Sequence, residues 1–115
     1  MQGRRSRISG GHADGRYTVQ ITEEALSDME RIYRYIADEL NAPESAMRQY
    51  DHIADGILGL DLFPERYGVV AFEPEHSRGL RRMPIDNYSV FYLICETRVV
   101  VTDVLYSARD IEQRL

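Results

Sequence analysis

The chain has no lysine: its 14 basic residues are all arginine, set against 19 acidic residues for a formal net charge of −5. A codon bias is enough to explain the missing lysine. Negative net charge argues against unspecific gripping of nucleic acid, because that affinity comes largely from neutralised phosphates. It leaves room only for a local positive patch. There is a single cysteine, Cys95, inside an apolar run, so no internal disulfide can form. Cys95 reads as a small buried hydrophobe rather than a nucleophile, and a reducing, cytoplasmic setting is expected. No run of about 18 apolar residues exists, so no transmembrane helix and no membrane partner are expected. The basic opening "MQGRRSRISGGHADGR" is not followed by an apolar stretch, so no signal peptide is expected. Glycine-rich phosphate loops, clusters of metal ligands and Ser/His/Asp signatures are also missing. No metal or cofactor is expected.

What is present suits one domain, since 115 residues with 43% hydrophobic and 29% charged are ordinary globular proportions. Residues 1–16 carry almost nothing apolar and read as a disordered arm. "RYTVQIT" alternates, with Tyr17, Val19 and Ile21 on one face, and predicts a half-buried strand. Thr22 then serves as a helix N-cap, with Glu23 and Glu24 complementing the helix dipole. Apolar residues follow at Ala25, Leu26, Met29, Ile32, Tyr33, Ile36 and Leu40, one helical stripe. This helix should end at Asn41-Ala42, before Pro43. Pro43 opens a second helix with a stripe of Ala46, Met47, Tyr50, Ile53, Ala54, Ile57 and Leu58, ended by Pro64. Two helices joined by so short a turn form an antiparallel hairpin.

"FPERYGVVAFEPEHSRG" has no sustained period and reads as a loop with a short extended piece. Three strands follow, "LRRMPI", "YSVFYLICE" and "RVVVTDVLYSA", turning at Asp86-Asn87 and Glu96-Thr97. Pro84 lacks an N–H and puts the first of them at a sheet edge or a bulge. The order β-α-α-β-β-β, with a short C-terminal helical stub, predicts an α+β fold. Its helical hairpin packs on one face of a mostly antiparallel sheet. The other face is left open or partly covered.

Together, "ITEEALSDMERIYRYIA", "LDLFPERYG", "GLRRMPIDNYSVFY" and "VLYSARDI" resemble the RelE/ParE superfamily, toxins of type II toxin–antitoxin modules. The resemblance runs from Tyr17 to Leu115 and implies a single toxin domain over 17–115. It implies growth inhibition and plasmid stabilisation, with a cognate antitoxin as partner. DNA gyrase is the implied target if the chain is ParE-like; the ribosome and its messenger RNA are the target if it is RelE-like. RelE-like sheets place a basic residue, an arginine and a histidine or lysine at positions that here hold Pro84, Ser89 and Ala108. These departures lean toward a non-hydrolytic, ParE-like toxin. A ribosome-dependent endoribonuclease and an inactive relative acting as an interaction module or co-repressor are the alternatives.

If the chain does cleave RNA, the candidate catalytic residues are Arg81, Tyr88, Arg109 and His76. Cations would stabilise the phosphate, and an acid–base group would move the protons. Candidate target-binding residues are Arg78, Arg81, Arg82, Tyr106 and Arg109. Each has a plainer reading. Arg109 with Asp110 makes an ordinary surface pair, and Arg78 and His76 are loop residues. Arg81 and Arg82 must point to opposite faces of a regular strand. His52 reads as surface, and Glu73 and Glu75 as solvated loop charge.

Overall fold

A computed structural model describes residues 16–107. The chain enters through β1, Thr18–Ile21. Thr22 then stays extended at φ −68°, ψ 161° and accepts the Ala25 N–H on its hydroxyl at 3.1 Å. The same hydroxyl donates to the carbonyl of Val101 at 2.9 Å. One threonine therefore both caps the first helix and ties it to the sheet.

Helix α1 spans Glu23–Arg34 and widens into a π-helical turn at Tyr35–Glu39. Asn41, at φ 55°, reverses the chain. Helix α2, Pro43–Leu58, starts with Pro43 in its first turn, where a missing N–H costs nothing. It gives way to a 3₁₀ turn at Gly59–Asp61, so α2 stops at Leu58 and Gly59, ahead of the expected Pro64. A second 3₁₀ turn, Pro64–Arg66, follows. The stretch expected as loop holds a four-residue helix α3, Glu75–Arg78. Strands β2 (Arg81–Ile85), β3 (Tyr88–Cys95) and β4 (Arg98–Tyr106) complete the fold. The expected helical stub, Ala108 and Arg109 lie outside the described residues.

The sheet order is β1-β4-β3-β2, with β1 parallel to β4 and the other pairs antiparallel. The two hairpins turn at Asp86-Asn87 and Glu96-Thr97, where Asp86 and Glu96 take positive φ. Pro84 falls in β2, an edge strand, as its missing donor requires.

The hairpin packs on one sheet face. Its core joins Ala25, Met29, Ile53 and Ile57 to Met83, Val90, Tyr92, Val99, Val101 and Val104. The predicted stripes are wider than the buried ones: Leu26, Leu40, Met47 and Leu58 are exposed. They sit on the shoulders of helices that have a neighbour on one side only. Cys95, expected to be buried, is half-buried because it ends β3 beside the turn.

In place of an apolar residue, Asp28 is fully buried. The β3–β4 register slips between Phe91 and Tyr92, whose partners are Asp103 and Val101. Beyond the slip, the Val104 N–H donates to Asp28 Oδ2 at 3.0 Å. A polar residue on the buried face thus satisfies a donor near the bulge.

Candidate functional site

The sheet face away from the hairpin is partly covered. Val70 and Leu80 pack on Phe91 and Leu105, with Phe72 and Leu93 beside them. A backbone bridge from Val69 to Arg81 fastens this flap to the β2 edge. Glu75, expected to be solvated, is buried, because the segment folds back as α3. Within the flap, His76 Nδ1 lies 2.8 Å from the Val70 carbonyl. A carbonyl only accepts, so Nδ1 carries the proton. The imidazole therefore helps to hold the flap, and its outer edge stays exposed. Arg78 closes α3 and is exposed, ahead of Gly79 at φ 81°. That left-handed position suits glycine.

Beyond the flap, Arg82 Nε donates to Ser89 Oγ at 2.7 Å, and Ser89 Oγ lies 2.8 Å from Ser107 Oγ. Ser89 is buried and faces Pro84 across the β2–β3 ladder. The positions singled out by the resemblance, 84 and 89, are therefore register neighbours on one surface. They hold a ring and a hydroxyl.

Arg81 and Arg82 lie on opposite faces, as the strand period requires. Arg81 is committed: its guanidinium donates to the carbonyls of Tyr67 at 2.7 Å and Glu65 at 3.2 Å. The structure thus does not gather these two arginines on one surface. Tyr88 and Tyr106 are ladder partners whose rings meet edge to face at 5.8 Å. Tyr88 is half-buried. Desolvation raises its pKa above the ordinary 10.0, with Tyr106, Tyr35 and Asp86 pushing the same way. The phenol is therefore protonated at neutral pH and makes a poor base. Tyr92 is buried deeper, and burial pushes it up to about 12; its hydroxyl donates to the Pro64 carbonyl at 2.6 Å.

Among the described residues, clefts flank the helices. One, of about 310 Å³, is lined by Glu30, Tyr33, Arg34, Met47 and Tyr50. Tyr33 and Tyr50 meet there edge to face at 6.2 Å, and Met47 is 50% exposed. Another, of about 570 Å³, is lined by Arg48, Asp51, Asp55 and a clasp at the β2–β3 turn. In this clasp Asp86 Oδ2 accepts from Gln49 Nε2 at 3.0 Å and from His52 Nδ1 at 2.7 Å. Both hydrogen bonds, Gln49's first, hold the Asp86 carboxyl below its ordinary 3.8. Sequence reasoning placed His52 at the surface, correctly, but missed this partner from 34 residues away. Among the described residues no group of three or more His, Cys, Asp or Glu could hold a metal. None of their helices is long and apolar enough to cross a membrane.

Residues 19–111 match the profile of the ParE toxin of the type II toxin–antitoxin system, parDE. No curated protein matches at significance. Solved structures share the fold, two among them being toxin–antitoxin systems. One is the chromosomal ParDE toxin–antitoxin system from P. aeruginosa, with TM-score 0.69 and 17% identity, covering 81% of this chain and 98% of that one. The other is the RelBE2 toxin–antitoxin complex from Mycobacterium tuberculosis, with TM-score 0.61 and 22% identity, covering 81% and 93%.

Proposed function

This chain belongs to the ParE toxin family of type II toxin–antitoxin systems, and from that premise we propose that it inhibits growth by binding DNA gyrase without hydrolytic chemistry. Its partner before release is a cognate antitoxin, as the two similar structures, both toxin–antitoxin systems, suggest.

One observation carries the non-hydrolytic reading. The outer sheet face joins Pro84 to Ser89 in register, and the Ser89 hydroxyl is already held between Arg82 and Ser107. Metal-free RNA cleavage needs cations on the phosphate and a group that titrates near neutral pH. Losing one such preorganised donor commonly costs about 10²–10³ in rate. Among the described residues one cation, Arg82, lies beside this proline and serine. Tyr88, with its raised pKa, does not replace the missing base.

The antitoxin reading rests on the cleft of Tyr33, Met47 and Tyr50. It is a shallow, open cleft with a mostly apolar lining, bordered by Glu30 and Arg34. Side chains of an amphipathic segment fill such grooves, and buried anchors dominate the affinity of interfaces of this kind.

The deciding experiment is induced expression without antitoxin, joined to two assays on purified protein. Inhibition of gyrase supercoiling with intact messenger RNA is the expected result. Codon-specific cleavage on translating ribosomes, with supercoiling untouched, would replace this reading by the ribonuclease.

A further inference from the structure

Residues 69–78, the flap on the outer sheet face, are held differently from the rest of the fold. Their hydrogen bonds run within the flap or to its base. The His76 N–H donates to the Phe72 carbonyl at 2.8 Å, His76 Nδ1 to the Val70 carbonyl at 2.8 Å, and Ser77 to the Glu73 carboxylate. At the base, the Val70 N–H donates to the Leu80 carbonyl at 2.9 Å, and the Leu80 N–H to the Glu75 carbonyl at 3.1 Å. Among the described residues, no hydrogen bond or ion pair joins 69–78 to β3 or β4. Only apolar contact with Phe91 and Leu105 holds the flap down, in a cluster separate from the main core. Gly68 and Gly79 border it, and at neither does any atom beyond the chain neighbours lie within 4 Å of where a Cβ would stand. Glu75 works against closure. It is 4% exposed, and among the described residues nothing donates to its carboxylate. A carboxylate taken out of water without a partner costs free energy.

We propose that this flap is a lid, which swings about Gly68 and Gly79 and opens while the sheet and the helical hairpin stay folded. Hinges are often small residues that absorb a change in backbone angles. The bonds from Phe72 to His76, from Val70 to His76 and from Glu73 to Ser77 travel with the lid. Opening parts the Val70–Leu80 and Leu80–Glu75 bonds at the base, together with the apolar contact. It also returns the Glu75 carboxylate to water, which offsets part of that loss. Small apolar clusters with few ties open ahead of the core. Val70 and Phe72 leave the sheet with the lid, and Phe91 and Leu105, buried in the closed form, meet solvent. The protein thus has an apolar surface that is hidden with the lid down and presented with it up. The lid does not depend on which target the toxin attacks.

Amide hydrogen exchange, followed by NMR on the full chain, tests this. The Val70 amide reports the lid, because its bond to the Leu80 carbonyl parts on opening. The slowest amides of β3 and β4 report the sheet. Val70 should exchange at least about a hundredfold faster than these. Glu75→Gln keeps the shape of the side chain and removes its charge, so Val70 exchange should slow at least about tenfold while the sheet amides stay as they were. Phe72→Ala weakens the apolar contact and should quicken Val70 exchange at least about tenfold, again without the sheet. This variant tests the lid by itself should Glu75→Gln fail to fold. Val70 exchange at the rate of the sheet would show that the flap parts only on global unfolding, and overturns the proposal. So does Val70 exchange in Glu75→Gln as fast as in the parent, and so does a Phe72→Ala variant in which lid and sheet quicken together.

Discussion

Removing the buried carboxylate of Asp28 gives a direct test of how α1 is bound to the sheet. The residue is fully buried, accepting the Val104 N–H at 3.0 Å on Oδ2 and the Arg31 guanidinium at 2.8 Å on Oδ1. In Asp28→Ala the Val104 donor stays buried beside the β-bulge without this acceptor. An unsatisfied buried polar group costs about 1–3 kcal/mol, and a small cavity adds to it. The expected loss is therefore about 2–4 kcal/mol, a large share of the roughly 5–15 kcal/mol that holds a domain folded. Arg31 is a different matter. Its side chain is 60% exposed, and solvent screens such pairs to about 0–1 kcal/mol. Arg31→Ala should hardly move the unfolding midpoint. Urea titrations of the parent and the two variants separate the contributions, with equal m-values showing that the unfolded state is unchanged. The reasoning is refuted if Asp28→Ala costs under about 1 kcal/mol, or if Arg31→Ala costs as much.

Three further outcomes follow from named contacts. Gly56→Ala in α2 should lose about 1–2 kcal/mol by thermal melt rather than gain the usual helix-propensity benefit. A Cβ there would overlap the buried Ile85 Cδ1, and a raised melting temperature would show that Ile85 moves aside freely. The Asp86 clasp contributes stability above the ordinary carboxylate value of 3.8 and loses it as pH falls through the lower folded value. Asp86→Asn should therefore flatten the acid limb of a stability-versus-pH curve below that point; an unchanged limb would mean that the clasp contributes nothing. Met47→Glu, which puts a charge into the Tyr33–Tyr50 cleft, should weaken antitoxin binding at least about tenfold without lowering the melting temperature. Unchanged affinity in calorimetry would place the antitoxin elsewhere.

What the sequence by itself determined is whatever is written in short-range periods. The three-four spacing after Thr22 and Pro43, the capping hydroxyl of Thr22, the four strands and the turns at Asp86-Asn87 and Glu96-Thr97 all reappear in the fold, although Ile21, expected on the buried face of β1, is exposed at the sheet edge. So do the edge position of the Pro84 strand and the opposite facing of Arg81 and Arg82. These follow from bonds and clashes between near neighbours in the chain. Tertiary structure alone decided which polar residues are spent on holding the fold. Asp28 reads as a surface residue of an amphipathic helix until a β-bulge 76 residues away presents a donor to it. Arg81 reads as a free cation until the loop backbone 14 residues earlier claims it. Ser89 reads as a strand residue with no partner until Arg82 and Ser107 close on its hydroxyl. No local period encodes such partners, because each depends on where a distant segment passes. Phe63 belongs to the same class: its ring is one more loop aromatic in the sequence. Only the folded chain shows it held at a left-handed backbone position and turned to solvent.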